Sequence, residues 1–225
     1  MCYSILIEQD LKDLELTFDA IVDHQAFERY GSMNKRDSKK FKSIAANPRI
    51  YPNYFAPIIT LKQGQRIITP MRYRIRPAGS NQEVPTKYNM FNARVDSLLS
   101  RQSWKTLIMR NHGIVGLKSF YEWVVGDDGR KKVIEFTPDS GKILPVPVIF
   151  DTWIAPDRSE GFASFAVITR EPPSEVLEAG HDRSPIILSE NAVKEWLKPD
   201  RPKQDLLNTL DQPPHETFHW RDSNP

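Results

Sequence analysis

The chain has 225 residues, of which 39% are hydrophobic and 27% are charged, and its formal net charge is +2. This apolar content can bury a sizeable core, most simply as one domain, and the near-balanced charge means that any nucleic-acid site must come from local clustering of basic residues. A single cysteine excludes an internal disulfide, and the lack of a signal peptide or of an apolar run near ~18 residues favours a cytoplasmic protein.

The chain begins with Met1-Cys2, and Cys2 is its only cysteine. If Met1 is removed, by an aminopeptidase or by self-cleavage, Cys2 carries an α-amine and a thiol on adjacent carbons. The amine titrates near pH ~7.7–8.0 and an ordinary thiol near ~8.5, so both are reactive at neutral pH. Such a 1,2-aminothiol forms a Schiff base with an aldehyde and then closes a thiazolidine ring. The alternative interpretation is a small buried residue on the first strand.

The first third of the chain predicts a strand, a helix and a hairpin. Residues 2–7 are typical of a strand, and apolar residues at helical spacing predict one amphipathic helix from residue 10 to about 30. The basic stretch 34–49 is either a solvated insertion or a phosphate-contacting patch. Two strands follow at residues 58–61 and 66–69.

Residues 71–76 alternate between apolar residues and arginines. As a strand, this segment would place Arg72, Arg74 and Arg76 on one face and Tyr73 on the other. Three arginines on one face require an anionic partner. That partner is either a carboxylate of the same protein or a nucleic-acid backbone.

The rest of the chain predicts mainly strands. After a polar loop at 77–88, residues 95–109 predict a helix, and Ser189 is a plausible N-cap of a later helix. The strands predicted in this part are 113–117, 120–125, 132–136, 145–153 and 164–169, with a hairpin turn at 126–129. Many strands, few uneven helices and hairpin links predict an α+β fold rather than a doubly wound sheet.

The sequence has no zinc-ligand spacing and no phosphate-binding glycine loop, and its five histidines are scattered. We therefore predict no metal and no cofactor. The tail from Arg201 is proline-rich and polar. Nothing in the sequence indicates the oligomeric state.

Four separated motifs occur in one order, namely Met1-Cys2, Asn92-Ala93-Arg94, Phe120-Tyr121-Glu122-Trp123 and His181-Asp182-Arg183-Ser184-Pro185. Together they resemble the SOS response-associated peptidase (SRAP) family over residues 1–198. The resemblance implies a curved, partly barrel-like mixed or antiparallel sheet surrounded by a few helices. It also implies a single domain over 1–225, with a poorly matched tail from about residue 200.

The resemblance implies a function as well. Members of the family bind single-stranded DNA and trap abasic sites covalently through the N-terminal cysteine, after removal of the initiator methionine. Glu122 would open the sugar ring and transfer protons, Asn92 would hold the α-amine or a sugar oxygen, and His181 would stabilise the opened sugar. The residues expected to contact DNA are Arg72, Tyr73, Arg74, Arg94, Thr169 and Arg183.

The chain departs from the family pattern at several positions. Tyr3 and Ser4 replace a glycine and a phosphate-binding arginine, and Tyr73-Arg74 replaces a Trp-Gly pair. Asp96 replaces a glutamate after the Asn-Ala-Arg motif. These departures leave open a binding module that has lost crosslinking.

A further alternative is an N-terminal-nucleophile amidohydrolase, although no glycine-rich oxyanion segment follows Cys2. Glu122 also has a structural interpretation, as a hydrogen-bond acceptor between two aromatic residues. His181 with Asp182 has one as the cap of a turn.

Overall fold

A computed structural model describes residues 4–43, 48–126 and 129–223. Within these residues the protein has twelve strands and six α-helices. The strands are β1 (Ser4–Ile7), β2 (Ile21–Val22), β3 (Arg49–Ile50), β4 (Phe55–Lys62), β5 (Gln65–Tyr73), β6 (Asn92–Arg94), β7 (His112–Val125), β8 (Lys131–Pro138), β9 (Leu144–Ile154), β10 (Gly161–Arg170), β11 (Ser184–Pro185) and β12 (Phe218–Asp222). The helices are α1 (Leu11–Phe18), α2 (His24–Arg36), α3 (Gln102–Lys105), α4 (Ser174–Glu178), α5 (Glu190–Leu197) and α6 (Lys203–Asp211).

Five of the strands close into a barrel. In order around the barrel they are β4, β5, β10, β9 and β7, and β7 pairs with β4 again. The β5–β10 pair is parallel and the other four pairs are antiparallel, so the sheet is mixed. Closure pairs strands that would otherwise leave open edges. The predicted α+β fold with a curved, partly barrel-like sheet is confirmed.

The two faces of the barrel strands bury different apolar clusters. The inner cluster is made almost entirely by strands and includes Tyr73, Val148 and Phe165. The outer cluster joins the opposite faces of the same strands to α1, α5 and α6, with Leu14 and Trp196 fully buried. Because side chains alternate along a strand, successive residues of the barrel strands face the inner and the outer cluster in turn.

Strand β7 is the longest element and links the barrel to the rest of the sheet. Its first half pairs with β4 and β9, and its second half pairs with β1 and β8. At the crossing with β4, a Cβ on Gly113 would lie 2.8 Å from Ile58 Cγ2, so only glycine fits without a shift. The sequence predicted two separate strands here, and the structure makes them one.

The single helix predicted from residue 10 to about 30 is wrong. Helix α1 ends where Asp19 adopts a φ of 47°, and β2 then pairs with β5 before α2 begins. Asp10 and Asp23 each cap the start of a helix by accepting backbone N–H groups. Tertiary pairing of β2 therefore overrides the helical periodicity.

The continuous helix predicted over 95–109 is also wrong. This segment contains a 3₁₀ turn at Val95–Ser97, the short helix α3, and a second 3₁₀ turn at Leu107–Met109. Trp104 and Leu107 are buried, so the apolar periodicity reported burial rather than a regular helix. None of the helices in the described part of the chain is long and apolar enough to cross a membrane.

The C-terminal part of the chain is ordered into further elements. The Ser189 hydroxyl accepts a hydrogen bond from Ala192 N at 3.2 Å and caps α5, as predicted. Beyond Arg201 the chain forms α6 and then β12, which pairs with β8. The predicted turn at 126–129 includes residues 127 and 128, which lie outside the described residues.

Candidate active site

Glu122 and His181 meet inside the fold although they are far apart in the sequence. Glu122 lies on β7 and is 2% exposed, and His181 follows α4 and is 8% exposed. Glu122 Oε2 lies 3.0 Å from His181 Nε2. Two groups that can each carry a proton are therefore in direct contact within a water-poor site.

A bulge in β7 determines which side of the sheet Glu122 faces. Val115 and Leu117 face the inner cluster, but beyond the bulge Phe120 and Val124 do so. The β1–β7 register shifts at this point, since Leu6 pairs with Ser119 and Ile7 with Leu117. The extra residue reverses the alternation, so Glu122 shares the inner face with Phe120 and Val124.

The backbone of Arg183 contacts His181 in a way that suits either protonation state. His181 Nδ1 lies 2.9 Å from Arg183 O and 3.2 Å from Arg183 N. If Nε2–H donates to the Glu122 carboxylate, neutral His181 accepts from the Arg183 N–H through Nδ1. Protonated His181 donates from Nδ1 to the carbonyl instead. The site can therefore hold imidazole or imidazolium without moving the ring.

Asn92 is held by its neighbours on both sides. Its side-chain Oδ1 accepts a hydrogen bond from Tyr73 OH at 3.3 Å, and its backbone N–H donates to Asn89 Oδ1 at 3.0 Å. The parallel pairing of β6 with β10 sets its position opposite Val167. Tyr73 itself is fully buried and stacks on Phe165 with ring centroids 5.2 Å apart.

Thr169 lies two residues beyond Val167 on β10 and therefore faces the same side of the sheet as Asn92. It is fully buried, and its hydroxyl has no hydrogen-bond partner within the described part of the chain. A buried hydroxyl without a partner is costly. This hydroxyl is therefore suited to form a hydrogen bond with an atom of a ligand.

Arg94 and Arg183 share one carboxylate. Arg94 Nη2 lies 2.6 Å from Asp96 Oδ2, and Arg183 Nη2 lies 3.3 Å from the same oxygen. The hydrogen bond from Arg94, together with the charge of Arg183, lowers the pKa of Asp96. Arg94 is partly exposed, whereas Arg183 is buried, so Arg94 is the more accessible of the two cations.

The anionic partner of the three arginines is a carboxylate of the same protein. Arg72 Nη1 lies 2.7 Å from Glu83 Oε1, Arg76 Nη1 lies 3.5 Å from it, and Arg74 Nη1 lies 4.0 Å from Glu83 Oε2. Burial alone would raise the pKa of Glu83, but the arginines outweigh it and lower the pKa. All three guanidinium groups are buried, so a phosphate can reach them only if Glu83 moves away.

Arg74 also explains why the segment 71–76 is only partly a strand. Its φ is 97°, a left-handed conformation that favours glycine. Strand β5 accordingly ends at Tyr73. Arg74 donates a hydrogen bond to Val84 O as well, so its side chain fastens the loop that carries Glu83.

One structurally important residue, Glu83, was not singled out from the sequence, and a second, Arg49, was predicted only as a member of a basic stretch. Glu83 lies in the polar 77–88 loop, where no pattern distinguishes it from other exposed acids. Arg49 ends the basic stretch 34–49, and its Nε donates to Ser4 Oγ at 3.0 Å. Only strand pairing reveals this contact, since β3 and β1 lie side by side.

Cys2, the predicted nucleophile, lies outside the described residues, as do Met1 and Tyr3. Ser4 opens β1 and pairs with Tyr121, the residue before Glu122. Within the described ranges no group of His, Cys, Asp or Glu side chains is arranged to hold a metal ion.

A cavity of about 470 Å³ adjoins Asn92 and Arg94. Its lining includes the cationic side chains of Lys87, Arg94 and Arg101 together with Trp104. Positive charge around a cavity of this size suits an anionic ligand. The cavity therefore leaves space for a ligand beside Asn92, whereas the buried Arg72, Arg74 and Arg76 are enclosed by protein.

Comparison with known proteins gives a family and a fold. A family model described as SOS response associated peptidase (SRAP) matches residues 1–224. The abasic site processing protein YoqW of Bacillus subtilis (strain 168) is 30% identical over 126 residues, which are 56% of this chain and 55% of that protein. The abasic site processing protein HMCES of Xenopus tropicalis is 26% identical over 176 residues, covering 69% of this chain and 52% of that protein. The matched part spans about half the length of these relatives.

Solved structures with a similar fold are also known. A crystal structure of a protein from Bacteroides thetaiotaomicron superimposes with a TM-score of 0.74 at 19% identity, covering 99% of this chain and 92% of that chain. One from Bordetella bronchiseptica gives a TM-score of 0.73 at 17% identity and covers 100% of both chains. At these identities the likeness shows the fold alone.

Proposed function

Because this chain belongs to the SOS response-associated peptidase (SRAP) family, we propose that it processes abasic sites in DNA by trapping them covalently through Cys2. The single observation that carries the proposal is the buried contact between Glu122 and His181. Glu122 lies on β7, the strand that pairs with β1. Cys2 is two residues before Ser4 in the sequence. Ser4 opens β1 and pairs with Tyr121, the residue before Glu122.

The proposed chemistry begins with the removal of Met1, which frees the α-amine of Cys2. The amine nitrogen adds to the aldehyde carbon of the opened deoxyribose, and the loss of one water gives a Schiff base. The Cys2 sulfur then adds to the same carbon, its proton passes to the nitrogen, and a five-membered thiazolidine ring closes. No oxidant or cofactor enters this sequence.

Glu122 and His181 would supply the proton transfers. The carboxylate of Glu122 would take a proton from the amine and return it to the departing hydroxyl group. His181 would stabilise either state of Glu122, since its own hydrogen bonds fit both protonation states. Because Glu122 and His181 are within hydrogen-bond distance of each other, a proton can pass between them without an intervening water molecule.

The remaining predicted residues would bind the DNA. Asn92 and the partnerless hydroxyl of Thr169 would hydrogen-bond sugar oxygens on the inner face of the sheet. Arg94 would contact a phosphate, and Arg183 would assist through the shared Asp96. Arg72 and Arg74 would contact a phosphate only after Glu83 is displaced. Tyr73 would have to leave its position in the core before its ring could stack on a base.

A second candidate function is non-covalent DNA binding without crosslinking. Tyr3 and Ser4, which stand where the family has a glycine and a phosphate-binding arginine, favour it. This alternative keeps the phosphate contacts and loses only the chemistry of Cys2.

The test is a denaturing gel of the protein with an oligonucleotide whose single uracil has been removed by a uracil-DNA glycosylase. Intact mass first establishes that Met1 is absent. We expect a shifted band that survives denaturation, no stable band with Cys2→Ala, and a weaker band with Cys2→Ser, whose hydroxyl closes the ring poorly. The untreated uracil oligonucleotide is the control. Trimmed protein that binds but never shifts would leave non-covalent binding as the function.

A further inference from the structure

A second cavity, of about 340 Å³, lies where the end of β10, the strand β11 and the segment that leads into β12 come together. The described residues that line it include none of Asn92, Glu122 and His181, so it is separate from the candidate active site. Its volume is near the lower end of the usual range for ligand sites and suits a small organic molecule. The chemistry of its lining indicates which kind of molecule that is.

Arg170, the last residue of β10, supplies a permanent cation to this cavity. Its Nη1 is buried and has no hydrogen-bond partner within the described residues. A guanidinium keeps its charge at every physiological pH and can only donate hydrogen bonds, so a buried Nη1 without an acceptor is costly. An acceptor from a ligand would remove this cost.

Two acidic residues also belong to the lining, but neither forms an ion pair with Arg170 in the part of the chain that the structure describes. Glu216 Oε1 accepts a hydrogen bond from Ser140 N at 3.2 Å, and Glu171 is exposed. Their charges limit the ligand, because Arg170 balances one negative charge and no more. A phosphate monoester carries about −1.5 to −2 charges and would be repelled, whereas a monoanion would be held.

The rest of the lining is mainly apolar. Ile187 and Phe218 are buried side chains of this lining. Its five prolines are Pro172, Pro173, Pro185, Pro213 and Pro214. Because proline has no N–H group and a fixed φ, these walls offer few backbone donors and keep their shape without a ligand. The cavity therefore suits a molecule with an apolar body.

Strand pairing places a small residue beside the guanidinium. Arg170 pairs with Ser184, and Thr169 pairs with Pro185. Directly opposed residues share one face of a sheet, so the short side chain of Ser184 leaves space next to Arg170. The Ser184 hydroxyl belongs to the same lining and can donate a hydrogen bond to a bound acceptor.

We propose that this cavity binds a small monocarboxylate with an apolar body. The carboxylate would accept two parallel hydrogen bonds from the Arg170 guanidinium, whose fork matches it in shape and charge. The apolar body would pack against Ile187, Phe218 and the prolines. Binding involves no covalent step and does not use Cys2, so the proposal is independent of the covalent function proposed above.

Isothermal titration calorimetry of the full chain with phenylacetate tests the proposal. We expect saturable binding with a Kd of about 1 mM or tighter, the range that a ligand of about ten non-hydrogen atoms reaches. Phenylacetamide has the same body without the charge, and acetate has the charge without the body. Each should bind at least about 10-fold more weakly than phenylacetate.

Variants of Arg170 separate ligand binding from a structural role. Arg170→Gln should weaken the binding of phenylacetate by roughly 10- to 100-fold, because the charge-assisted hydrogen bonds are lost. Arg170→Lys keeps the charge without the fork and should lie between Arg170→Gln and wild type. Arg29→Gln, which removes an exposed arginine from α2, is the charge-matched control and should bind like wild type. Without ligand, Arg170→Gln should melt at a temperature no lower than wild type, because Arg170 Nη1 has no partner among the described residues.

Several results would overturn the proposal. The absence of phenylacetate binding, or binding that Arg170→Gln leaves unchanged, would do so directly. A lower melting temperature of ligand-free Arg170→Gln would show that the guanidinium serves the fold. Tighter binding of phenyl phosphate than of phenylacetate, or displacement of phenylacetate by an undamaged oligonucleotide, would assign the cavity to phosphate instead. None of these results depends on whether abasic DNA is crosslinked.

Discussion

At the scale of single residues, the contact between Glu122 and His181 places side by side two groups that can each carry a proton. Both side chains are buried, and both reach that position through tertiary structure: Glu122 through the bulge in β7, and His181 through the turn after α4. A carboxylate at this point would serve the reaction rather than DNA affinity, because a carboxylate and a phosphate are both anions and repel each other.

We therefore expect Glu122→Gln to slow crosslinking by roughly 10²–10⁴-fold, the usual contribution of a positioned acid or base. Affinity for an undamaged strand should be unchanged, because glutamine has the same shape and still accepts a hydrogen bond from His181. Single-turnover time courses on denaturing gels measure the rate. Glu8→Gln is the matched control, since Glu8 is also buried and pairs with Lys118. Equal rates for wild type and Glu122→Gln would remove Glu122 from the chemistry.

Arg74 carries two opposing contributions to stability. Its side chain binds Val84 O and lies near Glu83, whereas its φ of 97° strains a non-glycine residue. Arg74→Ala removes the contacts and keeps the strain, but Arg74→Gly removes both. We expect the glycine variant to be more stable than the alanine variant by about 1 kcal/mol, measured by urea unfolding. An alanine variant as stable as the glycine variant would show that the left-handed conformation costs little here.

At the scale of elements, the 77–88 loop is fastened to the sheet by the charge of Glu83. Three buried arginines contact or approach this one carboxylate. The loop borders the cavity beside Asn92 through Pro77 and Val84. Its anchoring therefore shapes the space available to a ligand.

This anchoring predicts a pH dependence. The pKa of Glu83 is lowered in the folded protein, so its contribution to stability is present above the ordinary carboxyl pKa of 4.5 and is lost as the pH falls through the lowered value. Glu83→Gln should lower the free energy of unfolding at neutral pH by roughly 1–3 kcal/mol, because guanidinium groups lose a partner. The carboxylate itself is 40% exposed, which keeps the effect modest.

The measurement is urea unfolding of both proteins from neutral pH to the acid range. The difference between wild type and Glu83→Gln should shrink as the pH falls, since both then lack the charge. Glu178→Gln is a suitable control, because Glu178 is an exposed acid at the end of α4 that forms no salt bridge within the described part of the chain. A difference that stays constant with pH would mean that Glu83 stabilises the loop without its charge.

At the scale of the whole molecule, long-range contacts assemble two parts of the candidate site. Asn92 and Thr169 lie on the paired strands β6 and β10. Glu122 lies on the half of β7 that pairs with β1 and β8, and there it meets His181. The basic groups lie elsewhere, on the surface beside β1 and around the cavity beside Asn92, so the small net charge hides two local concentrations of positive charge.

The sequence by itself determined the fold class, the strands with strong alternation and the cap at Ser189. It also indicated the family, because each of the four motifs is a contiguous stretch of the chain and needs no structure to be read. The gap between the predicted strands 113–117 and 120–125 even corresponds to the bulge that reverses the facing of β7. Local periodicity carries this information because it reports burial residue by residue.

Only the tertiary structure decided which groups meet. Periodicity could not show that β2 would interrupt the predicted first helix, because that break depends on pairing with β5. The partner of the arginines, Glu83, and the position of Arg49 between Tyr51 and Tyr121 also follow from long-range contacts. A side chain's partner is fixed by the strands that pair around it, and strand pairing joins residues whose separation no local pattern records.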